Sequence, residues 1–344
     1  MPRLAVHSNN FNLIRLCAAA QVLIVHGLNH HEITGWGADV FKAIPGVPVF
    51  FFISGFLISA SYLRTRERGL GEFFRNRILR IYPALIVCVL FATAMVAATG
   101  YLATQSISPA RFVGWVLGQM SFLQFYNPDF MRGFGVGVLN GALWTITVEL
   151  QFYLLTPPLM WLISRKPRIA AALFAISLAA NLYLGWVGGG RSLFDKLLAV
   201  SFVPWVYMFM IGMLVALRPG LARKLIKPTW LWALPIAYLA SIFALGGYEH
   251  NAQNSINPVS FLILAVLIFK LAYLPIPFAR RAQTFIGRND FSYGIYLYHM
   301  PLINLTLFLG MAPVTGILTA AGCAILCALL SWYLVERPAL KRKH

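Results

Sequence analysis

The chain alternates long apolar runs with short polar, mostly basic ones. Apolar residues dominate 11–28, 43–63, 81–103, 139–163, 169–187, 197–217, 229–247, 259–274, 291–309 and 314–335. Most of these runs approach the ~20 residues that a helix needs to cross a hydrocarbon core. None shows the period-two alternation of a barrel strand. The pattern predicts an all-α, polytopic membrane protein of about ten transmembrane helices, with 1–344 as one membrane-embedded domain. Residues 104–138 depart from it. They contain RFVGWVLGQMSFLQFYN, which is short for a crossing and rich in aromatics, so an interfacial or re-entrant element is expected there. No repeat of useful period appears.

Charge orients these spans. Alternation puts both termini on one side, together with loops 64–80, 164–168, 218–228 and 275–290 and the tail 336–344, which hold most of the Lys and Arg. The other side has only Lys42, Arg111, Arg132, Arg191 and Lys196, and its loop 248–258 has no Lys or Arg. The positive-inside rule then makes both termini cytoplasmic. It also accounts for the net charge of +18 without nucleic acid as a partner; the partner it implies is the lipid bilayer. The first run lacks a small-residue cleavage site and is expected to stay in place as a span. Cys17, Cys88, Cys323 and Cys327 all fall inside apolar runs and read as small packing residues, with no disulfide framework and no zinc spacing.

Only 11% of residues are charged, so each ionisable group inside a span can be weighed. Such groups are costly in hydrocarbon and usually face a protein interior or a wet cavity. The first span, FNLIRLCAAAQVLIVHGL, holds Arg15 and His26. Eleven residues turn the helix by ~1100°, about three turns and 20°, so both lie on one face, separated by ~16 Å of rise. Either they snorkel to opposite interfaces, or they form a functional stripe. Glu149 stands about ten residues into the fourth span and needs a partner or a bound proton there. Arg15 and His26 are the candidates, with a structural Glu–Arg pair as the other reading. The remaining carboxylates, Asp290 among them, fall in loops or at span ends. Glu336, beside Arg337 and Pro338, is expected to be paired locally at a helix end. In the ninth span Ser292, Tyr296 and His299 share a face, as a cavity lining or as satisfied core residues. Ser54 and Gly55 in the second span permit close helix approach and are also counted among the residues lining the site. Arg77 and Arg80, with Arg75 nearby, share a face at the cytoplasmic surface. They serve topology, or they bind phosphate, for which arginine is suited.

Taken together these motifs resemble the membrane-bound acyltransferase-3 family, the bacterial polysaccharide O-acetyltransferase type. The resemblance spans nearly the whole length and rests on NLIRLCAAAQVLIVH, VFFFISGFLIS, FFRNRILRIYPAL, WTITVELQFYLL, SYGIYLYHMPL and the final VERPAL. One departure is Leu16, Cys17 and Ala18 after the first-span arginine, where the family often has Arg-Gly-Leu-Ala-like residues. The resemblance implies transfer of an acyl group, most simply acetyl, from cytoplasmic acyl-CoA to a hydroxyl of a surface or lipid-linked glycan. The enzyme would sit in a bacterial inner membrane and use no metal. His26 would be base or acyl acceptor, and Arg15 would help hold the donor. Arg77 and Arg80 would face the CoA phosphates, while Glu149, Tyr153, Tyr296 and His299 would line the site. The extracytoplasmic domain of some relatives is not expected, so acceptor recognition falls to loops such as 29–42, 104–138 and 248–258. A secondary transporter built on the same Arg, His and Glu is the competing class, but paired, broken half-repeats are not apparent.

Overall fold

The computed structural model describes residues 9–188, 192–245, 256–275 and 280–343. Most of loop 248–258, with Glu249, and Arg191 lie outside the described residues. The described chain is all-helical, with no strand. Its α-helices are α1 (Phe11–His30), α2 (Trp36–Lys42), α3 (Gly46–Thr65), α4 (Leu70–Ala98), α5 (Pro109–Gln119), α6 (Trp144–Arg165), α7 (Pro167–Val187) and α8 (Leu193–Ala199). They continue with α9 (Val206–Leu217), α10 (Pro219–Ile226), α11 (Ala233–Leu245), α12 (Pro258–Tyr273), α13 (Arg280–Arg288), α14 (Ser292–Phe308), α15 (Pro313–Ser331) and α16 (Arg337–Leu340). Among the described residues six helical stretches are long and apolar enough to cross a membrane, or seven if α9 and α10, bent by 96° at Arg218–Pro219, count as one broken span. The expected runs all correspond to helices, but α11 and α12 are short. The 197–217 run is split between α8 and α9, where 200–205 form turns. α5 has only 11 residues and is not among the candidate spans.

The chain forms two compact units. The first comprises Met1–Gln21, Lys42–Arg68 and Gln151–Asp290; the second comprises Val22–Phe41, Gly69–Leu150 and Phe291–His344. In the first, α3 packs along α9 with backbones touching. A Cβ on Gly55 would overlap the Phe209 carbonyl, and one on Gly212 would overlap the Phe52 carbonyl and lie 2.6 Å from the Phe56 nitrogen. Glycine is required at both places by proximity, since both are in ordinary helix. Asn10 and Asn12 anchor the start of α1. The Asn10 side-chain amide donates to the Leu271 and Leu274 carbonyls, and that of Asn12 to the Ile286 and Gly287 carbonyls, at 2.7–3.3 Å.

In the second unit, α14 is buried on nearly every side and packs on α15 and α4. Pro301 inside α14 has no N–H, so the carbonyl of Leu297, four residues earlier, loses its helical partner. Asn140 supplies one with its side-chain amide at 2.8 Å, and the Cys88 thiol approaches at 3.4 Å. α4 starts at Leu70 rather than near 81, which places Arg75, Arg77 and Arg80 on its first three turns. α15 runs into a π-helical turn at Trp332–Glu336, a distortion of the kind that re-aims side chains at functional sites.

Candidate functional site

In the first unit Arg15 donates from Nη1 to Asp290 Oδ2 at 2.7 Å, and its guanidinium lies 6.0 Å from the Phe50 ring centroid. The pair is largely buried, with 19% and 9% of the side chains exposed. A partly desolvated arginine is held by a charge-assisted bond of this kind. Asp290, read from sequence as a loop carboxylate, is thus the partner of the intramembrane arginine. The only hint was that so few carboxylates are available. Tyr153 is buried on α6 and Ser54 half-buried on α3, while Gly55 is spent on helix contact.

In the second unit His26 Nδ1 lies 2.9 Å from His299 Nε2, with the rings stacked at 5.1 Å between centroids. His299 is completely buried. Its Nδ1 lies 2.8 Å from the Tyr296 carbonyl and 3.2 Å from that of Ile295. A carbonyl only accepts, so Nδ1 of His299 carries the proton. Neutral His299 then offers a lone pair at Nε2, which accepts from Nδ1–H of His26. That leaves the Nε2 lone pair of His26 for chemistry. The hydrogen-bond network assigns both tautomers, and a histidine fixed through its other nitrogen is the usual way a base is oriented. His30 stands beside this pair, 5.8 Å from His26 between centroids.

Tyr296 is placed next to His299 (5.7 Å between centroids), but its hydroxyl bonds Thr145 Oγ1 at 2.6 Å and the Ala142 carbonyl at 3.2 Å. It fastens the start of α6 to α14. Ser292 is fully buried at the start of α14. Glu149 is half-buried and, because α6 begins at Trp144, stands in the second turn of that helix instead of midway along it.

Arg77 and Arg80 lie on one face of α4. Arg80 reaches Glu336 Oε2 at 3.5 Å and lies 5.5 Å from the Tyr293 ring centroid. Glu336 is 2% exposed and also accepts from Ser331 at 3.1 Å. Its ionic partner is therefore 256 positions away, and the local pairing expected at this helix end is with Ser331, five residues back. Arg75 is exposed and donates to the Arg342 carbonyl at 3.1 Å. The sequence reading missed Lys343: burial, and then the charges of Arg77 and Arg80, push its ammonium down to about 7. Burial does most of this, and the two arginines add to it, so Lys343 stands within reach of their charge. Among the described residues no group of three or more His, Cys, Asp or Glu side chains is placed to hold a metal ion.

A family profile described as "Acyltransferase domain" matches residues 8–336. Nodulation protein 10 of Rhizobium leguminosarum bv. viciae is 32% identical, over 97% of this chain and 94% of its own length. An O-acetyl transferase of Shigella phage Sf6 is 25% identical over 97% of both chains. O-acetyltransferase OatA of Staphylococcus aureus (strain NCTC 8325 / PS 47) is 25% identical over 96% of this chain, which spans 56% of that longer protein. No solved structure matches.

Proposed function

Since the chain belongs to the acyltransferase-3 family and is an acyltransferase, we propose that it moves an acetyl group from cytoplasmic acetyl-CoA to a hydroxyl of a surface or lipid-linked glycan on the outer side of a bacterial inner membrane. The names of two relatives, both O-acetyltransferases, favour an oxygen acceptor. Ten spans with cytoplasmic termini follow if α9–α10 counts as one span and the short helices α11, α12 and α14 cross as well. The charge asymmetry of the loops supports that topology. One family profile running across both units supports a single functional domain.

The observation that carries the mechanism is the bonded chain from the Tyr296 carbonyl through His299 to His26. It leaves Nε2 of His26 as the reactive nitrogen. In direct transfer, that nitrogen takes the proton of the acceptor hydroxyl as its oxygen attacks the thioester carbonyl. The C–O bond forms, the C–S bond breaks, and the CoA thiolate leaves with the proton. In a relay the same nitrogen attacks the thioester first, so that a C–N bond forms as the C–S bond breaks and the CoA thiolate leaves; the acceptor oxygen then displaces the nitrogen, and its proton leaves with the thiolate. Arg15, ~16 Å along α1, and Glu149 are assigned to positioning donor and base. Arg77, Arg80 and Lys343, with Arg75 at the rim, are assigned to the CoA phosphates.

Membranes bearing the protein, given labelled acetyl-CoA, should transfer label to glycan. His26→Ala, inserted at normal levels, should lower that rate by about 10²–10⁴-fold, the usual worth of a general base. Wild-type transfer by this variant would remove His26 from the chemistry.

A further inference from the structure

The 104–138 segment holds a pocket of about 220 Å³ lined by Arg111, Gly114, Trp115 and Gly118 on one side and by residues including Tyr126 and Phe130 on the other. The α5 residues follow the 111, 114, 115, 118 spacing of one helix face. Val113 and Leu117, on the other side of α5, are exposed and apolar. Glycine inside a helix is destabilising relative to alanine. At Gly114 no protein contact asks for it, because an added Cβ would meet nothing within 4 Å. The flat stripe leaves room for something outside the protein. Trp115 is 4% exposed, and its indole N–H has no hydrogen-bond partner among the described residues. Phe130 stands edge-on to Trp115, 5.4 Å between centroids, and Gln119 pins the facing wall by donating to the Tyr126 carbonyl at 2.7 Å.

We propose that this pocket is the acceptor subsite and binds one sugar ring of the glycan, with aromatic walls against its C–H faces and the Arg111 guanidinium donating to its oxygens. The size fits one ring, being below the ~300–1,000 Å³ of pockets for drug-sized ligands. An alkyl chain would leave the guanidinium unused. The pocket wall is also tied to the helix that carries His299. Tyr101 accepts from the Gly133 N–H and donates to the Phe130 carbonyl. Asn304 of α14 then accepts from the Val136 N–H and donates to the Val138 and Leu139 carbonyls. Asn140 bonds Leu297.

The proposal rests on the acyltransferase reading, and its test reads binding apart from turnover. The full chain in phospholipid nanodiscs is irradiated with a mixed set of diazirine methyl glycosides (hexose, N-acetylhexosamine, deoxyhexose and uronic acid) and, separately, with an alkyl diazirine. Mass spectrometry maps the adducts. Sugar adducts should fall within residues 109–130. Arg111→Ala and Gly114→Leu should each lower them about tenfold, the worth of one charge-assisted bond or of occlusion, while Leu117→Ala leaves them unchanged. Arg111 is exposed, so its variant carries the test even if Gly114→Leu misfolds. Sugar adducts that ignore both substitutions, or a segment labelled by the alkyl probe alone, would overturn the subsite. Acetyl transfer by the unaltered protein is measured in parallel. Transfer without sugar labelling sinks the subsite only, whereas no transfer to any glycan sinks the reading beneath it.

Discussion

His299 decides which nitrogen of His26 is available. Its Nδ1 is committed to backbone carbonyls, so its Nε2 can only accept while the ring is neutral. Replacing it with leucine removes the acceptor and frees His26 to take either tautomer. His299→Leu should lower kcat by about 10²-fold with the KM for acetyl-CoA held. Glutamine offers an oxygen to the same Nδ1–H, so His299→Gln should recover part of the loss. Equal defects in the two variants would mean that the ring serves packing alone. The sequence put both histidines forward because ionisable groups in apolar runs stand out locally. Their bond was not legible, nor were Arg15–Asp290 and Arg80–Glu336. These pairs are separated by 273, 275 and 256 positions, and nothing local encodes who meets whom across such distances. Scarcity of carboxylates was the one usable signal, and it pointed to Glu149 as the arginine's partner before Asp290.

The helices themselves were legible because an apolar run of span length is a local property. Their ends were less so. Residues 139–143 are as apolar as the helix that follows, but their turn is held by Asn140 filling the bond that Pro301 vacates, and that requirement comes from another helix. Gly55 shows the same limit. As a small residue it was readable as packing or as site lining, and only contact with Phe209 separates the two. The helix pair makes a sharp contrast among glycines. Gly212→Leu drives a side chain into the α3 backbone and should cost at least the 1–3 kcal/mol typical of overpacking, seen as a lower melting temperature in detergent. Gly322→Ala on α15 meets nothing within 4 Å and should be neutral or stabilising by up to about 1 kcal/mol. Similar melting temperatures for the two would show that α3 and α9 are not in backbone contact.

Over the whole molecule the excess of 18 positive charges would attract the polyanionic donor proposed above, but screening limits exposed charges to a range of about 8–10 Å. The site must therefore concentrate charge locally, and Lys343 makes that concentration titratable. With its ammonium near 7, Lys343 is charged below that pH and neutral above it. A bound phosphate pulls the proton back, so donor binding takes up a proton above pH 7 and weakens as pH rises. Ionisation of a phosphate monoester near pH 6 works the other way, strengthening binding as pH rises, so the two effects are separable by sign. From pH 6 to 8.5 the KM for acetyl-CoA should rise about 3–10-fold, by the loss of one partly screened charge contact. Lys343→Arg stays protonated throughout and should abolish that rise. Lys343→Met should hold KM at the high-pH level even at pH 6. If all three proteins gave the same KM profile, Lys343 would have no part in the donor site, and the phosphates would be left to the arginines of α4.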